Sequence, residues 1–357
     1  MANFNLGRLS NRVVSRNNFS VTPGDRTDVF RFSIANRRQI GLHLHRMNGD
    51  ADLRLFRDTN RNGVFDRADR QVAVSRLSGA RNDTIDFTAN RGTYFARVER
   101  FRGPRRLRYD LDLAATYDVG RLGNAPIARN RFSVNPSDPT DVFEFDINSA
   151  RTINLGVNRI SPGDNVDLQL YRDNGNGVFD AGDRVIARSS RSGNRDELIN
   201  FRATRGTYFA QVAQARRASG GGSAFYDLDM SATTGRASNV IGAEVQLGNL
   251  SRDLTRFGSV TSRDTNDTYA FSLGFFEGVN IRLGGLSRDA DIRLIRDRNN
   301  NGVVDPGEVI GSSTRAGTAV DSINNINRSG NYLLQVYQFS GNTAYRVTFD
   351  RFTTPFS

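Results

Sequence analysis

The residues best placed to do chemistry lie between Asp297 and Glu308. Oxygen-bearing side chains occupy every second position at its start: Asp297, Asn299 and Asn301. Gly302 follows, then Val303, Asp305 and Glu308. As such a loop winds, carboxylates and amide carbonyls turn towards one centre. Calcium, a hard cation, takes ~6–8 oxygen ligands in that arrangement. Asp297, Asn299 and Asn301 supply the first three, Val303 its backbone carbonyl, and Asp305 a direct or water-mediated contact. Glu308 closes the site with both carboxylate oxygens, and Gly302 makes the sharp turn where a side chain would clash.

Two further stretches repeat the pattern. One holds Asp58, Asn60, Asn62, Val64, Asp66 and Asp69 around Gly63. The other holds Asp173, Asn174, Asn176, Val178, Asp180 and Asp183 around Gly177, and is one residue shorter. The third copy fits the loop of calcium-binding EF-hands, D-x-[DN]-x-[DN]-G-x5-E. Asp69 is one methylene shorter than Glu308, which predicts a weaker or rearranged first site. The lost residue leaves the register of the second copy open and predicts the poorest binding there. Asn-Gly is also a strong hairpin-turn signal, so three ordinary hairpins are the competing reading. A turn does not require acids at the ninth and twelfth positions, yet all three copies keep them. The flanking residues alternate instead of following a helical period, which places these loops on a β-scaffold.

That scaffold is legible as five landmarks, each written three times. Leu6-Gly7-Arg8-Leu9, Val119-Gly120-Arg121-Leu122 and Leu247-Gly248-Asn249-Leu250 open the copies. Thr27–Phe32, Thr140–Phe145 and Asn266–Phe271 follow, alternating apolar and polar residues as half-buried strands do. Next come Asp50–Phe56, Asp164–Tyr171 and Asp289–Ile295, which lead into the calcium loops. Gly92–Val98, Gly206–Val212 and Gly330–Val336 come fourth, and Tyr109–Leu113, Tyr226–Met230 and Tyr345–Phe349 last. The fourth-landmark glycine recurs after 114 and 124 residues, the loop asparagine after 114 and 125. Such constant offsets mean that whole domains were duplicated. Units of this length exceed the repeat of a solenoid. The expected fold is all-β: three tandem antiparallel β-sandwich, jelly-roll-like domains over 1–117, 118–235 and 236–357. Thr233–Ala243 is expected to be a short flexible connection, and Ala218–Ala224 an exposed hairpin loop.

Together the landmarks resemble the bacterial pre-peptidase C-terminal domain, through Asp28-Val29-Phe30-Arg31-Phe32, Asp52-Leu53-Arg54-Leu55-Phe56 and Gly92-Thr93-Tyr94. The resemblance is clearest in the first two copies. The third departs at Tyr269 and Asn331 but keeps the order. It implies a β-sandwich, often calcium-binding, secreted and usually attached to a peptidase or another exported enzyme; some members bind collagen or insoluble polymers. No enzyme domain accompanies the copies in this sequence.

Composition narrows the function. The chain has 357 residues and a net charge of +11, with every one of its 49 basic residues an arginine. Only six of its 38 acids are Glu. The positive balance points to an anionic partner such as an acidic polysaccharide or a cell surface. Arg and Asp interleave, however, as a solvated surface would, and no nucleic-acid motif appears, so specific nucleic-acid binding is not expected. Cysteine is absent, which removes any disulfide framework. No stretch reaches the ~18 apolar residues of a membrane span. Met1–Gly7 has neither the basic nor the apolar region of a secretory signal, whereas weak calcium loops favour an extracellular or cell-surface location.

Catalytic signatures are missing, with no G-x-S-x-G elbow and no H-E-x-x-H. The two histidines, His43 and His45, share one strand face and could help hold zinc. With no Cys and no third His nearby, a solvent-facing pair is the plainer reading. Asp52, Asp167 and Asp291 could orient the loops, join a second ion or cap turns. Phe56, Tyr171, Tyr94, Tyr208 and Tyr332 are expected in cores. The leading expectation is a non-enzymatic, calcium-stabilised extracellular structural protein, a self-assembling filament, matrix or surface-layer subunit. Asn3–Leu9 is expected to add a strand to a neighbour. The alternative is a secreted adhesin or binding module for polysaccharide or protein polymers.

Overall fold

The computed structural model describes residues 2–10, 13–136, 139–216 and 223–354. Most of the Ala218–Ala224 stretch lies outside them. Among the described residues all regular elements are strands. The first copy holds β1 (Ala2–Arg8), β2 (Val14–Val21), β3 (Thr27–Ile34), β4 (Arg38–His45), β5 (Asp50–Arg57), β6 (Arg70–Ser75), β7 (Asp83–Ala89), β8 (Gly92–Arg102) and most of β9 (Leu107–Arg121). The second holds β10 (Ile127–Val134), β11 (Thr140–Ile147), β12 (Arg151–Asn158), β13 (Asn165–Arg172), β14 (Arg184–Ser189), β15 (Glu197–Ala203), β16 (Gly206–Arg216) and β17 (Ala224–Thr233). The third holds β18 (Val245–Asn249), β19 (Leu254–Val260), β20 (Asn266–Leu273), β21 (Glu277–Gly284), β22 (Asp289–Ile295), β23 (Val309–Ser313), β24 (Asp321–Ile326), β25 (Gly330–Ser340) and β26 (Thr343–Thr353).

Each copy builds the same two sheets. In the first, a five-stranded sheet runs β1-β3-β8-β5-β6. Its four-stranded companion places β9 between β2 and β4, with β7 outside β4. The alternation read in the sequence decides which face meets the partner sheet. Phe30, Phe32 and Ile34 of β3, Leu53 and Leu55 of β5, and Ile40, Leu42 and Leu44 of β4 are all buried in one cluster. Equivalent clusters fill the second and third copies. Tyr94, Tyr208 and Tyr332 are buried as expected. Phe56 and Tyr171 sit on the opposite side of their strands from the core-facing Leu55 and Leu170, because period-two alternation sends neighbouring residues to opposite faces.

Four features differ from the sequence expectation. The sheets are not purely antiparallel: β1 pairs parallel with β3, the end of β9 with β11, and β18 with β20. Asn3–Leu9 is consequently occupied within its own sheet, Phe4 opposite Phe30, and is not a free strand for a neighbour. The first two copies share one uninterrupted strand. Through Thr116, β9 pairs with β4, and from Tyr117 it pairs with β11. Finally, the connection after Thr233 is packed, with Ser238, Val240 and Ile241 buried. The Ser238 carbonyl accepts from Arg293 and Gln335, and Asn239 Nδ2 donates to the Asn124 carbonyl at 2.6 Å.

A buried pair ties the two sheets of every copy together. The hydroxyl of Tyr109 donates to Asp28 at 2.6 Å, Tyr226 to Asp141 at 2.7 Å, and Tyr345 to Asp267 at 2.5 Å. Burial raises the pKa of Asp28, and the tyrosine hydroxyl works against that rise. Tyr109→Phe removes this donor from a buried acceptor and is expected to cost about 1–3 kcal/mol. The midpoint of urea unfolding measures it, and an unchanged midpoint would contradict a structural role for the pair.

Candidate metal centres

All three loops fold by one hydrogen-bond plan. The glycine amide donates to the first Asp: Gly63 to Asp58 at 2.9 Å, Gly177 to Asp173 at 3.3 Å, Gly302 to Asp297 at 3.1 Å. The ninth-position amide donates to the closing acid: Asp66 to Asp69 at 2.8 Å, Asp180 to Asp183 at 3.0 Å, Asp305 to Glu308 at 3.0 Å. Asn62, Asn176 and Asn301 each donate Nδ2 to the ninth-position carboxylate at 2.7–2.8 Å. Asn60 and Asn299 reach the same carboxylate group at 3.1 and 2.7 Å. Each glycine has positive φ, the conformation the turn requires.

The shortened loop resolves its own register. Asn174 takes two positions at once. Its amide donates to Asp183 Oδ1 at 3.1 Å, as Arg298 does to Glu308 at 2.8 Å. Its side chain meanwhile points at Asp180, as Asn299 points at Asp305. The deletion therefore shortens the loop to suit the shorter closing acid. In the first loop the acid is short and the loop is not, and Asp69 Oδ1 is buried without a hydrogen-bond partner.

These donors suit calcium. They are oxygen throughout: carboxylates, carboxamides that present oxygen after a half-turn, and the carbonyls of Val64, Val178 and Val303. Asp58 Oδ1 and Asp69 Oδ1 are buried and unpaired, a costly arrangement that a cation relieves. Burial raises the pKa of Asp69 and Asp173, and pushes Asp183 up to about 7. Asp66 moves the other way, held down by the amide of Ala68 and the side chains of Asn62 and Asn60. Among the described residues, the two places where three His, Asp or Glu side chains come within 4.8 Å lie elsewhere. In a loop of this kind carboxylates reach the ion directly from the first and twelfth positions, and the ninth often acts through water.

What the sequence did not reveal is where the loops sit. The second loop is wedged against the outer face of β4 in the first copy. Val178 there is buried, and the Gly177 carbonyl lies so close that a Cβ on Gly41 would be 1.9 Å from its oxygen. The third loop is wedged against the second copy. The Gly302 carbonyl accepts from Ile241 at 2.8 Å, Val304 donates to Asn239 at 2.9 Å, and Arg159 donates to the Asn300 carbonyl at 2.6 Å. The first loop, by contrast, leaves Val64 63% exposed. A mid-strand glycine such as Gly41 is the one sequence signal of close backbone approach.

The remaining candidates fall into place around this. Asp52 pairs with Arg54 at 3.2 Å, and burial raises Asp167 and, to about 6, Asp291. All three lie within strands, not in the loops. His43 and His45 are half-buried, not solvent-facing, and Asp112 of β9 joins them. A second cluster, Glu244, Asp264 and Asp267, has Arg191 as its counter-charge, 3.3 Å from Glu244.

Comparison with known proteins adds a family likeness. Residues 139–214 match the bacterial pre-peptidase C-terminal domain. No curated protein matches the chain. Among solved structures, the pre-peptidase C-terminal domain of a Bacillus anthracis collagenase is similar at 19% identity and a TM-score of 0.24. That match covers 32% of this chain and 94% of the other. The periplasmic inhibitor of g-type lysozyme from Aeromonas hydrophila is similar at 18% identity and a TM-score of 0.21, covering 30% and 98%. No helix is long and apolar enough to cross a membrane among the described residues. The middle copy thus carries a pre-peptidase C-terminal domain match within an all-β chain.

Proposed function

We propose that the chain is a non-enzymatic, calcium-stabilised extracellular structural protein, a stiff rod of three pre-peptidase C-terminal-like repeats with ions at its joints. One observation carries this: the second and third Asn-Gly loops are the contact surfaces between repeats, not free hairpin tips. An ion that orders Asp173–Asp183 or Asp297–Glu308 also orders the surface that grips the preceding repeat. The flanking repeats join the family likeness through shared sheets, shared loops and the shared Tyr–Asp pair.

The two ends differ from the joints. On β4, β9, β12 and β17 the outward positions under the next repeat include buried Gly41, Ala114, Asn154 and Ser231. On the last four-stranded sheet Arg282, Arg346 and Asp350 are exposed instead. A charged face of this kind is costly to bury against another sheet. Stacking a further copy through the same contact would bury Arg282, Arg346 and Asp350, so a filament of these chains requires a different contact. Particle size by light scattering, with calcium and with chelator, tests that step.

Asp297→Ala tests the joint itself. It is expected to abolish the third site and loosen the second joint, lowering the melting point of the last repeat while the first is unaffected. Limited proteolysis should then cut between 234 and 244. An identical digestion pattern and identical calcium response in variant and wild type would sink the reading. The binding-module alternative rests on a cleft of about 770 Å³ between the second and third repeats, lined by Arg159, Arg298 and Tyr332 among others. Salt-sensitive retention on an anionic polysaccharide, lost in Arg298→Ser, would favour it.

A further inference from the structure

A cluster of a second kind lies under the second loop. His43 and His45 alternate onto the outer face of β4. On neighbouring β9, Asp112 stands directly opposite His43 in the antiparallel register. The imidazole rings stack with centroids 4.5 Å apart and planes 4° apart. His45 Nε2 is 3.0 Å from Asp112 Oδ2, and their side chains are only 19% and 13% exposed. Asp112 Oδ1 is buried and has no hydrogen-bond partner. One ligand atom from each of the three residues lies within 4.8 Å of the others. Asn176, from the loop of the next repeat, brings its Nδ2 to 3.5 Å from His43 Nδ1.

We infer that His43, His45 and Asp112 form a binding site for zinc or a similar borderline divalent cation, roofed by Asn176. Two imidazoles and one carboxylate are the three-ligand set that zinc accepts with a fourth position left over. Calcium does not compete for it, because a hard cation prefers oxygen throughout. The same groups without an ion are poorly matched. Two stacked imidazoles cannot both be cationic at this separation without repulsion, and a buried carboxylate oxygen is left unpaired. The three ligands belong to the first repeat and the roof to the second, so the ion would sit in the first joint and fasten the β4–β9 face beneath the loop.

The two histidines are the only ones in the chain, which makes the test direct. The full chain is held in saturating calcium, so that the oxygen loops are filled, and titrated with zinc chloride. Imidazole resonances are followed by long-range proton–nitrogen NMR. Both rings are expected to shift together and saturate at one equivalent. Cobalt(II) in place of zinc is expected to give the visible absorption of a tetrahedral site. Asp112→Asn should weaken zinc by about 10- to 100-fold, with unchanged melting in calcium alone as its folding control. Histidine resonances that ignore one equivalent of zinc overturn the inference, and this reading needs no variant to fold. Zinc affinity unchanged in a folded His43→Asn/His45→Asn double variant also overturns it.

Discussion

Chelating calcium from the full chain is expected to lower its stability by about 8 kcal/mol when each of three sites had been held at 100 times its Kd. A ligand that binds only the folded state contributes about 2.7 kcal/mol per site at that concentration. The loss should be uneven. The first loop carries only its own hairpin, whereas the second and third also carry joints, so differential scanning calorimetry should resolve one broad transition into several. The pH dependence should change sign with the ion. Burial pushes Glu197 and Asp264 up to about 7. For each, the folded state holds its proton more tightly than the unfolded state does. Their contribution to stability is therefore complete below the ordinary carboxylate range and is lost as pH rises through about 7. The ion-free chain should be more stable at pH 5 than at pH 8. In calcium the ordering should reverse, since the ligands must be ionised to bind. A melting curve insensitive to chelator at both pH values would remove calcium from the account altogether.

Gly41→Val is the second large effect. The position is an ordinary β-strand residue in its own repeat, and valine is a good strand former. Propensity alone predicts a neutral or stabilising change. The structure predicts the reverse, because the Cβ would collide with the Gly177 carbonyl, which is backbone and cannot rotate away. The second loop must shift as a unit, and about 3 kcal/mol or more is expected at the top of the range for overpacking. The damage should be to the joint: the repeats stay folded, but small-angle scattering should show a bent or lengthened particle. Calcium affinity of the second loop should fall, with the third unchanged. Wild-type scattering from a folded Gly41→Val protein would mean that the loop does not grip β4.

The β-strands were readable because each copy alternates Phe30, Phe32 and Ile34, or their equivalents, against polar residues, and burial of one face is local information. The turn at Gly302 was readable for the same reason, since Gly302 meets Asp297, and Asp305 meets Glu308, within twelve residues. Pairing was not. Nothing in Ala2–Arg8 says that it lies parallel to β3 instead of crossing to a neighbour, because alternation defines a strand's faces and not its partner. The register at Asn174 stayed open because one residue there supplies a backbone donor and a side-chain donor that the third loop takes from two. His43 and His45 looked isolated because Asp112 is 67 positions from His45 and reaches it only through the β4–β9 register. Gly41 carried its signal openly, but its neighbour, the Gly177 carbonyl, belongs to another repeat.

The uninterrupted strand β9 bears on how the molecule would answer a pull on its ends. Between the first two repeats there is no slack to draw out, since the same strand is hydrogen-bonded on both sides of Tyr117. Tension crosses that point without lengthening the chain until a sandwich gives way. The second junction differs. Residues 234–244 lie between β17 and β18, packed down by their own buried Ser238 and Val240. Once peeled free they would extend by at most about 36–40 Å before the next repeat feels the full force. One joint transmits force as a rigid coupling, and the other stores a short length of chain held in place beside the third loop.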